Sequence, residues 1–310
     1  MNIFVTGVSG LVGSAFARAA ARRGHRIIGT VGSYPQPVAG VATLVRLELR
    51  DEAATTAGVL EAFPDAIVNC AAVSDPGQCE ERPETSERLN VALPAQLARL
   101  AQHLNARLIH LSSEQVFDGQ SALPYSADDP VMPINLYGRQ KVASEAAVLQ
   151  AAASLAVTVR APLLMGNSAT GARSTHERLL AGWVAGRTAK LFTDEIRQTC
   201  TAENLAEVMV ELCERNDVHG VQHWAGADPI SRHELGLRVR EHFKLSEREA
   251  PIAAVARRDA PELSGRRQAC LKLALGPLAA KLKTRPQTFS EQLAELKIPE
   301  PVRAWYFARY

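Results

Sequence analysis

Two side chains of complementary chemistry, the phenol of Tyr137 and the ammonium of Lys141, stand four residues apart in the sequence. They fall at the start of a predicted helix, where residues at i and i+4 share one face, so both can contact one ligand. An unperturbed tyrosine has a pKa of about 10, and a neighbouring ammonium favours the phenolate. The pair therefore predicts a tyrosine acid or base whose pKa is lowered by Lys141.

A hydroxyl group is predicted at the same place. A predicted strand at residues 107–111 runs directly into Ser112 and Ser113. Doubly wound folds bind ligands at the carboxyl edge of the sheet, where that strand would end. Ser113 can then hydrogen-bond a substrate oxygen or Tyr137. The predicted catalytic residues are Ser113, Tyr137 and Lys141, and they indicate proton transfer to or from an oxygen atom.

The first predicted strand, residues 3–6, leads into a glycine-rich turn and then a helix. Glycines there permit a tight turn and a close approach of backbone N–H groups to a pyrophosphate, which the helix N-terminus also favours. Because the spacing, the strand and the helix agree, we predict a dinucleotide site rather than an ordinary strand-to-helix turn. The predicted contacts are Gly7, Ser9, Gly10, Leu11, Val12 and Gly13.

The second predicted strand, residues 26–30, ends without the acidic residue that usually binds the ribose hydroxyls of such a cofactor. Thr30 and Ser33 stand there instead and can donate hydrogen bonds to either form of it. Without a carboxylate, nothing repels a 2′-phosphate, and without an arginine or lysine nothing strongly attracts one. The sequence therefore leans towards NADP and leaves NAD open.

Strands and helices alternate through the first half of the chain. Short β-branched runs are separated by Ala-, Leu- and Arg-rich segments of helical periodicity, which predicts an α/β fold with a doubly wound parallel sheet of Rossmann type. After about residue 166 this rhythm changes. We predict a dinucleotide-binding domain at residues 1–165 and a smaller C-terminal α/β domain at 166–310 that mainly binds substrate, with some later elements packing back on the first sheet.

Composition and charge argue against several classes of function. A net charge of +2 over 310 residues is far below the strongly positive net charge expected of a protein that binds nucleic acid, so a small-molecule partner is expected. The five cysteines lack C-x-x-C spacing, which argues against a disulfide framework or a zinc site, and no metal is predicted. No export signal and no apolar stretch of roughly 20 residues, long enough to span a membrane, is found. The cytoplasm is the expected location, and a homodimer is left open.

Two longer motifs carry a resemblance to a known family. Residues 112–119 (SSEQVFDG) match S-T-D-Y-V-F-D-G, and residues 133–141 (PINLYGRQK) match P-x-N-x-Y-G-x-x-K, with Glu145 also fitting the pattern. The chain thereby resembles the extended short-chain dehydrogenase/reductases, and among them most nearly the dTDP-4-dehydrorhamnose reductase branch. The resemblance spans roughly residues 1–245, with its clearest motifs before residue 165.

The resemblance implies a role for each of the three catalytic groups. Ser113 would polarise a carbonyl, Tyr137 would deliver the proton, and Lys141 would hold the nicotinamide ribose while lowering the pKa of Tyr137. It also implies further cofactor contacts beyond the glycine turn, which together are called the cofactor wall. Leu49 and Val73 could instead be packing residues, and Asn90 could be a core amide whose hydrogen bonds are satisfied within the protein. The wall comprises Glu48, Leu49, Ala71, Ala72, Val73, Asn90, Ser112 and Pro162.

The substrate pocket departs from the family pattern. Where the branch has Thr-Asp-Tyr, this chain has Ser113, Glu114 and Gln115. Dehydratases on this fold carry two adjacent acids after the hydroxyl residue, whereas here neutral Gln115 follows Glu114. We therefore expect an NAD(P)-dependent reductase of a keto group on a nucleotide-linked sugar. The predicted substrate residues are Glu114, Gln115, Val116 and Arg197.

Other interpretations stay open at this point. The fold also suits a sugar-nucleotide epimerase, or a dinucleotide-binding regulatory subunit similar to the beta subunit of methionine adenosyltransferase. A run of basic residues near the C-terminus could clamp a diphosphate, although a solvated basic face is the commoner meaning of such a run. These residues are Arg257, Arg258, Arg266, Arg267, Lys272, Lys281, Lys283 and Arg285.

Overall fold

Seven parallel strands form the central sheet of the protein in a computed structural model, which describes residues 1–261 and 267–308. The strands are β1 (Asn2–Thr6), β2 (Arg26–Val31), β3 (Thr43–Arg46), β4 (Ala66–Asn69), β5 (Arg107–Ser113), β6 (Ala156–Ala161) and β11 (Gly220–His223). Their order across the sheet is β11-β6-β5-β4-β1-β2-β3, and each neighbouring pair runs parallel. The predicted doubly wound parallel sheet is confirmed.

The strand order places a crevice beside β1. The chain builds outwards from β1 to β3 and then returns to form β4 on the other side of β1, so the winding direction reverses between these two strands. Ligands of such sheets bind outside the carboxyl ends of the strands at this reversal. Thr6 at the end of β1 pairs with Asn69 at the end of β4, so both strands finish at the same edge.

Helices cover both faces of the sheet. Phe16 and Leu205 pack with Val157 in one apolar cluster, while Leu97 and Val148 belong to a second cluster on the other face. This two-sided burial explains the continuous apolar runs of the strands. The helices of the described residues are α1 (Leu11–Arg22), α2 (Glu52–Ala62), α3 (Pro76–Glu81), α4 (Pro83–Glu87), α5 (Leu93–Leu104), α6 (Leu136–Ala152), α7 (Thr175–Val184), α8 (Ala202–Cys213), α9 (Arg232–His242), α10 (Leu278–Lys281), α11 (Phe289–Glu295) and α12 (Arg303–Phe307).

Short strands and helices after β6 enclose a third apolar cluster, with Trp183, Leu235 and Phe289 among its buried members. Within it β7 pairs with β10, β8 with β13, and β9 with both β12 and β14. The short strands are β7 (Leu164–Met165), β8 (Ala189–Phe192), β9 (Ile196–Arg197), β10 (Cys200–Thr201), β12 (Ile230–Ser231), β13 (Ile252–Val255) and β14 (Cys270–Leu271). β11 extends the central sheet beside β6. The boundary at residue 165 stays a prediction.

None of the described helices has the length and apolar character needed to cross a membrane.

Phe16→Ala is expected to lower the free energy of unfolding by about 3–5 kcal/mol, because the fully buried ring of Phe16 would leave a cavity between α1 and the sheet. Arg22→Ala is the control on the same helix. It removes an exposed ion pair with Glu207 and should cost less than about 1 kcal/mol. Urea unfolding followed by circular dichroism measures both values, and similar losses in the two variants would contradict this account.

Candidate functional site

β5 continues two residues beyond the predicted strand and carries Ser112 and Ser113 into the sheet. Its pairing with β6 extends to Ser113 opposite Ala161. Both serines are buried, with exposures of 3% and 7%. Pro162, a predicted wall residue, follows β6 directly and is also buried. Strand pairing therefore fixes two hydroxyl groups that the sequence pattern alone would leave in a loop.

Gln115 holds the start of α6. Asn135 is the N-cap of this helix, and its side-chain oxygen accepts a hydrogen bond from the Gly138 N–H at 2.8 Å. The amide nitrogen of Asn135 donates to Gln115 Oε1 at 2.9 Å. A Cβ at Gly138 would collide with the Gln115 carbonyl, so glycine allows the close approach. Gln115 thus positions α6, and its contact with substrate stays a prediction.

Tyr137 lies in the first turn of α6 with 7% exposure. Burial raises the pKa of its phenol above the ordinary value, and a hydrogen bond with the Ser113 side chain opposes that rise. The predicted net lowering of this pKa is wrong for the structure, because desolvation of the buried phenol outweighs the effect of the nearby ammonium, whose Nζ lies 5.7 Å from the ring centroid. Tyr137 is therefore a protonated phenol near neutral pH.

Lys141 is almost completely buried, with 2% exposure. Its Nζ donates a hydrogen bond to the Leu111 carbonyl at 2.9 Å. Burial lowers the pKa of Lys141 to about 8, and the charge of Glu145 is the largest effect that opposes this. The thiols of Cys79 and Cys70 act in the same direction as Glu145. Lys141 is consequently an ammonium that titrates close to neutral pH.

The turn between β1 and α1 has the geometry of an anion site. Gly7 has φ of 65°, and a Cβ there would lie 2.9 Å from the backbone of Ala71, so the turn contacts the loop after β4. Gly10 is the N-cap of α1, and since it has no side chain the first N–H groups of the helix stay open to an anion. A Cβ at Gly13 would collide with the Gly7 carbonyl. The predicted contacts in this segment are Gly7, Ser9, Gly10, Leu11, Val12 and Gly13.

Asn90 fixes the loop after β4 from inside the protein. It lies on a π-helical turn, Arg88–Ala92, and is fully buried. Its amide accepts from the Val73 N–H at 2.9 Å and donates to the Val73 carbonyl at 3.0 Å and to Gln140 Oε1 at 2.8 Å. These contacts make Asn90 a satisfied core amide that shapes the wall through Val73. Ala72 lies half-buried beside Val73, and direct cofactor contacts of this wall stay predictions.

The residues predicted near the adenosine end have different environments. Thr30 is fully buried, and its hydroxyl has no hydrogen-bond partner within residues 1–261 and 267–308. Ser33 is exposed. Glu48 is exposed and paired with Arg50 at 2.8 Å, and this hydrogen bond lowers the pKa of Glu48 to about 2. Leu49 packs against the apolar cluster beneath it. The charge of Glu48 is thereby balanced by a neighbouring guanidinium.

Glu114 is a buried acid directly after Ser113, with 3% exposure. Burial raises the pKa of Glu114 to about 8, although Arg197, whose Nε lies 3.4 Å from Oε1, opposes the rise. The nearby carboxylate of Glu195 adds to it. Among the described residues, Glu114 Oε2 has no hydrogen-bond partner. The site therefore contains a carboxyl group that is largely neutral at pH values below about 8.

The guanidinium of Arg197 makes most of its contacts with other groups of the protein. Its guanidinium donates to the carbonyls of Ile196 at 2.7 Å and Gln268 at 2.9 Å, and it pairs with Glu195 at 3.2 Å. Arg197 and Glu114 were both predicted to lie at the substrate site, and the structure places them next to each other. Val116 is fully buried in an apolar cluster and does not line an open surface. Substrate contacts of Arg197 and Val116 stay predictions.

A chain of buried polar side chains joins the end of β1 to α6. Thr6 Oγ1 donates to Asn69 Oδ1 at 2.6 Å, and Asn69 Nδ2 lies 3.1 Å from His110 Nδ1. His110 Nε2 lies 3.0 Å from Ser144 Oγ, which donates to the Lys141 carbonyl at 2.8 Å. Burial lowers the pKa of His110 well below its ordinary value, so the ring is neutral. No local sequence pattern predicts this chain of hydrogen bonds, because most of its members are far apart along the sequence.

Two of the basic residues near the C-terminus have separate acidic partners. Arg267 pairs with Glu195 at 2.8 Å, and Arg285 pairs with Glu291. Arg266 lies outside the described residues. Arg267 and Arg285 are thus held by different acids, and the diphosphate clamp stays a prediction.

Glu114→Gln is expected to make the stability of the protein less dependent on pH. The folded pKa of Glu114, about 8, lies above the ordinary value of 4.5, so folding favours the neutral carboxyl. This contribution is complete below pH 4.5 and is lost as the pH rises through about 8. The wild-type Tm should therefore fall relative to that of the variant between about pH 5 and about pH 9. A Tm difference that does not change with pH would contradict the buried environment of Glu114.

The chain is similar to several known proteins. The family model of the RmlD substrate binding domain matches residues 1–298. The chain is 31% identical over 246 residues to methionine adenosyltransferase 2 subunit beta of Xenopus laevis, covering 78% of this chain and 72% of that protein. It is also 31% identical over 248 residues to a probable low-salt glycan biosynthesis reductase of Haloferax volcanii, covering 78% and 80%.

A solved structure shows the same fold. The dTDP-4-dehydrorhamnose reductase of Bacillus anthracis, crystallised in complex with NADP, matches with a TM-score of 0.80 at 18% identity, covering 94% of this chain and 96% of that chain. The predicted resemblance is confirmed by the family match, which spans nearly the whole sequence. This protein belongs to the RmlD substrate binding domain family, among the extended short-chain dehydrogenase/reductases.

Proposed function

We propose that the protein is an NAD(P)-dependent reductase that acts on a keto group of a nucleotide-linked sugar. The observation that carries this proposal is the convergence of Ser113 and Tyr137, whose side chains interact in a buried site at the carboxyl edge of the sheet. Lys141 lies beside them on α6. A hydroxyl, a phenol and an ammonium at one place suit the delivery of a proton to a carbonyl oxygen.

The protonation state of Tyr137 suits reduction rather than simple binding. Reduction of a ketone needs a proton for the oxygen and a hydride for the carbon, and a nicotinamide cofactor supplies the hydride when it is bound. Because burial keeps the phenol protonated, Tyr137 can donate that proton to an oxygen that Ser113 orients. The ammonium of Lys141 favours the phenolate that remains.

The turn after β1 fits the pyrophosphate of a nicotinamide dinucleotide. Gly7 and Gly13 occupy positions where a Cβ would meet backbone, and the α1 N-terminus presents free N–H groups beside them. The Bacillus anthracis reductase binds NADP, and the Haloferax volcanii relative is named a glycan biosynthesis reductase. Both names support the proposed cofactor and the proposed reaction.

Tyr137→Phe is expected to reduce NADPH oxidation with a nucleotide-linked 4-keto sugar by about 10²–10⁴-fold or more, because it removes the proton donor. Binding of the dinucleotide should persist, since the ring still packs in the same place. Steady-state absorbance at the nicotinamide band measures turnover, and calorimetry measures binding.

Tyr125→Phe is the matched control for that experiment. Tyr125 is also a buried tyrosine, but its hydroxyl donates to Asp118 at 2.6 Å and not to Ser113. Turnover should change far less in this variant than in Tyr137→Phe. Equal losses would show that the effect comes from a disturbed pocket and not from a lost acid.

We propose that NADP is the preferred cofactor, because no carboxylate follows β2 and Glu48 is balanced by Arg50. Ser33→Asp places a carboxylate on the exposed residue predicted to lie near the ribose. It should weaken NADPH binding by about tenfold, or about 1.4 kcal/mol, and leave NADH binding nearly unchanged. Ser33→Asn, which adds no charge, is the control. Equal effects on both cofactors would place Ser33 away from the 2′-phosphate.

A regulatory role is the second candidate, and the similarity to methionine adenosyltransferase 2 subunit beta favours it. A regulatory subunit would bind the dinucleotide without turning over a keto sugar. Affinity purification of the tagged wild-type protein at native expression, followed by assay of the eluate for methionine adenosyltransferase activity, separates the two. If a methionine adenosyltransferase co-purifies and no keto sugar is turned over, the regulatory function is supported and the reductase function is rejected.

A further inference from the structure

Glu145 is a buried carboxylate on α6, with 5% exposure. It accepts hydrogen bonds from Arg160 Nε at 2.9 Å, from Arg160 Nη2 at 2.7 Å and from the Ser112 hydroxyl at 2.5 Å. Hydrogen bonds between a guanidinium and a carboxylate are charge-assisted and fix the geometry of the pair. The carboxylate of Glu145 is therefore held in a fixed position inside the protein by Arg160 and Ser112.

This charge lies next to the ammonium of the proposed catalytic site. Glu145 follows Lys141 by four residues on one helix, so the two side chains share a face. Lys141 Nζ binds the Leu111 carbonyl, while the carboxylate of Glu145 binds the hydroxyl of Ser112. The two side chains thus contact neighbouring residues at the end of β5, immediately before Ser113.

Arg160 compensates the buried charge and connects it to the loop between β5 and α6. Besides its two bonds to Glu145, its Nη1 donates to the Ala127 carbonyl at 3.2 Å. Its guanidinium carbon lies 5.1 Å from the centroid of the Phe117 ring. The pair therefore fixes three elements, α6, β6 and that loop, in one arrangement.

Four titratable groups near Lys141, namely Cys70, Cys79, His110 and Tyr137, carry no charge at neutral pH. Burial raises the pKa of Cys70 to about 12 and also raises that of Cys79. Burial lowers the pKa of His110 well below its ordinary value, and the phenol of Tyr137 is protonated. Among the described residues, Glu145 has the largest effect that opposes the loss of charge on the buried Lys141.

We propose that Glu145 is a positioning residue that keeps Lys141 cationic and aligned with Ser113 at the end of β5. The proposal rests on the proposed function, because it concerns the ammonium of that site. Its charge effect can nevertheless be measured without turnover.

Glu145→Gln tests the proposal, because it removes the charge and keeps the size of the side chain. The titration midpoint of Lys141, followed by the ¹³Cε shift in lysine-labelled protein and assigned by its absence in Lys141→Arg, should fall by about one pH unit or more. A neutral Lys141 would then appear at lower pH. The alkaline limb of the kcat/KM profile should therefore move in the same direction, with smaller losses at the acid end.

Glu211→Gln is the matched control. Glu211 is likewise a buried glutamate, with 5% exposure, and accepts hydrogen bonds from the backbone N–H groups of Lys283 and Thr284 on another part of the protein. Its replacement can lower stability, but it should leave the Lys141 midpoint and the shape of the pH profile unchanged.

A second variant guards against a failure to fold, since Glu145→Gln leaves Arg160 without its anionic partner. The double variant Glu145→Gln with Arg160→Met removes both charges, a change that folded proteins often tolerate. The Lys141 midpoint should fall in this variant as well. A folded variant with an unchanged or raised midpoint would overturn the proposal. If the Lys141 midpoint falls but the wild-type protein does not turn over a keto sugar, the effect of Glu145 on Lys141 is confirmed and the reductase function is rejected.

Discussion

The parallel pairing of β5 with β6 as far as Ser113 is the constraint on which the rest of the site depends. It brings two hydroxyl residues to the carboxyl edge of the sheet, beside the turn where Gly7 meets Ala71. α6 then packs over the end of β5 and holds Tyr137 and Lys141 against it. Each proposed catalytic group is thereby placed by backbone pairing or by a helix face, and none depends on a free loop.

Burial decides the chemistry of these groups more than proximity does. It keeps the Tyr137 phenol protonated, brings the pKa of Lys141 to about 8 and raises that of Glu114 to about 8. The compensating charges come from further inside the protein, from Glu145 towards Lys141 and from Arg197 towards Glu114. A proton donor suited to reduction is the result, and its protonation states are set by a shell of side chains that need not touch the substrate.

Several features were predictable from local patterns. Three features depend on residues close in sequence: the glycine turn, the alternation of strands and helices, and the i, i+4 spacing of Tyr137 and Lys141. The alternation of strands and helices is what predicts the parallel sheet. The direction of the Tyr137 pKa was predicted wrongly, because a neighbouring lysine is visible in the sequence and the depth of burial is not. Asn90 was predicted in the cofactor wall, and the structure shows its amide bound to Val73, Gln140 and the Cys79 sulfur, so any cofactor contact of Asn90 stays a prediction.

The sequence by itself determined the residue types at the site and the elements that carry them, because helix faces, turns and strand ends are local consequences of spacing and side-chain shape. Only the tertiary structure decided how those groups are charged and held. The pairing of Glu145 with Arg160, the approach of Arg197 to Glu114 and the polar chain through His110 all join distant segments. Such contacts arise when strands and helices pack, and the desolvation that shifts each pKa exists only in the packed protein.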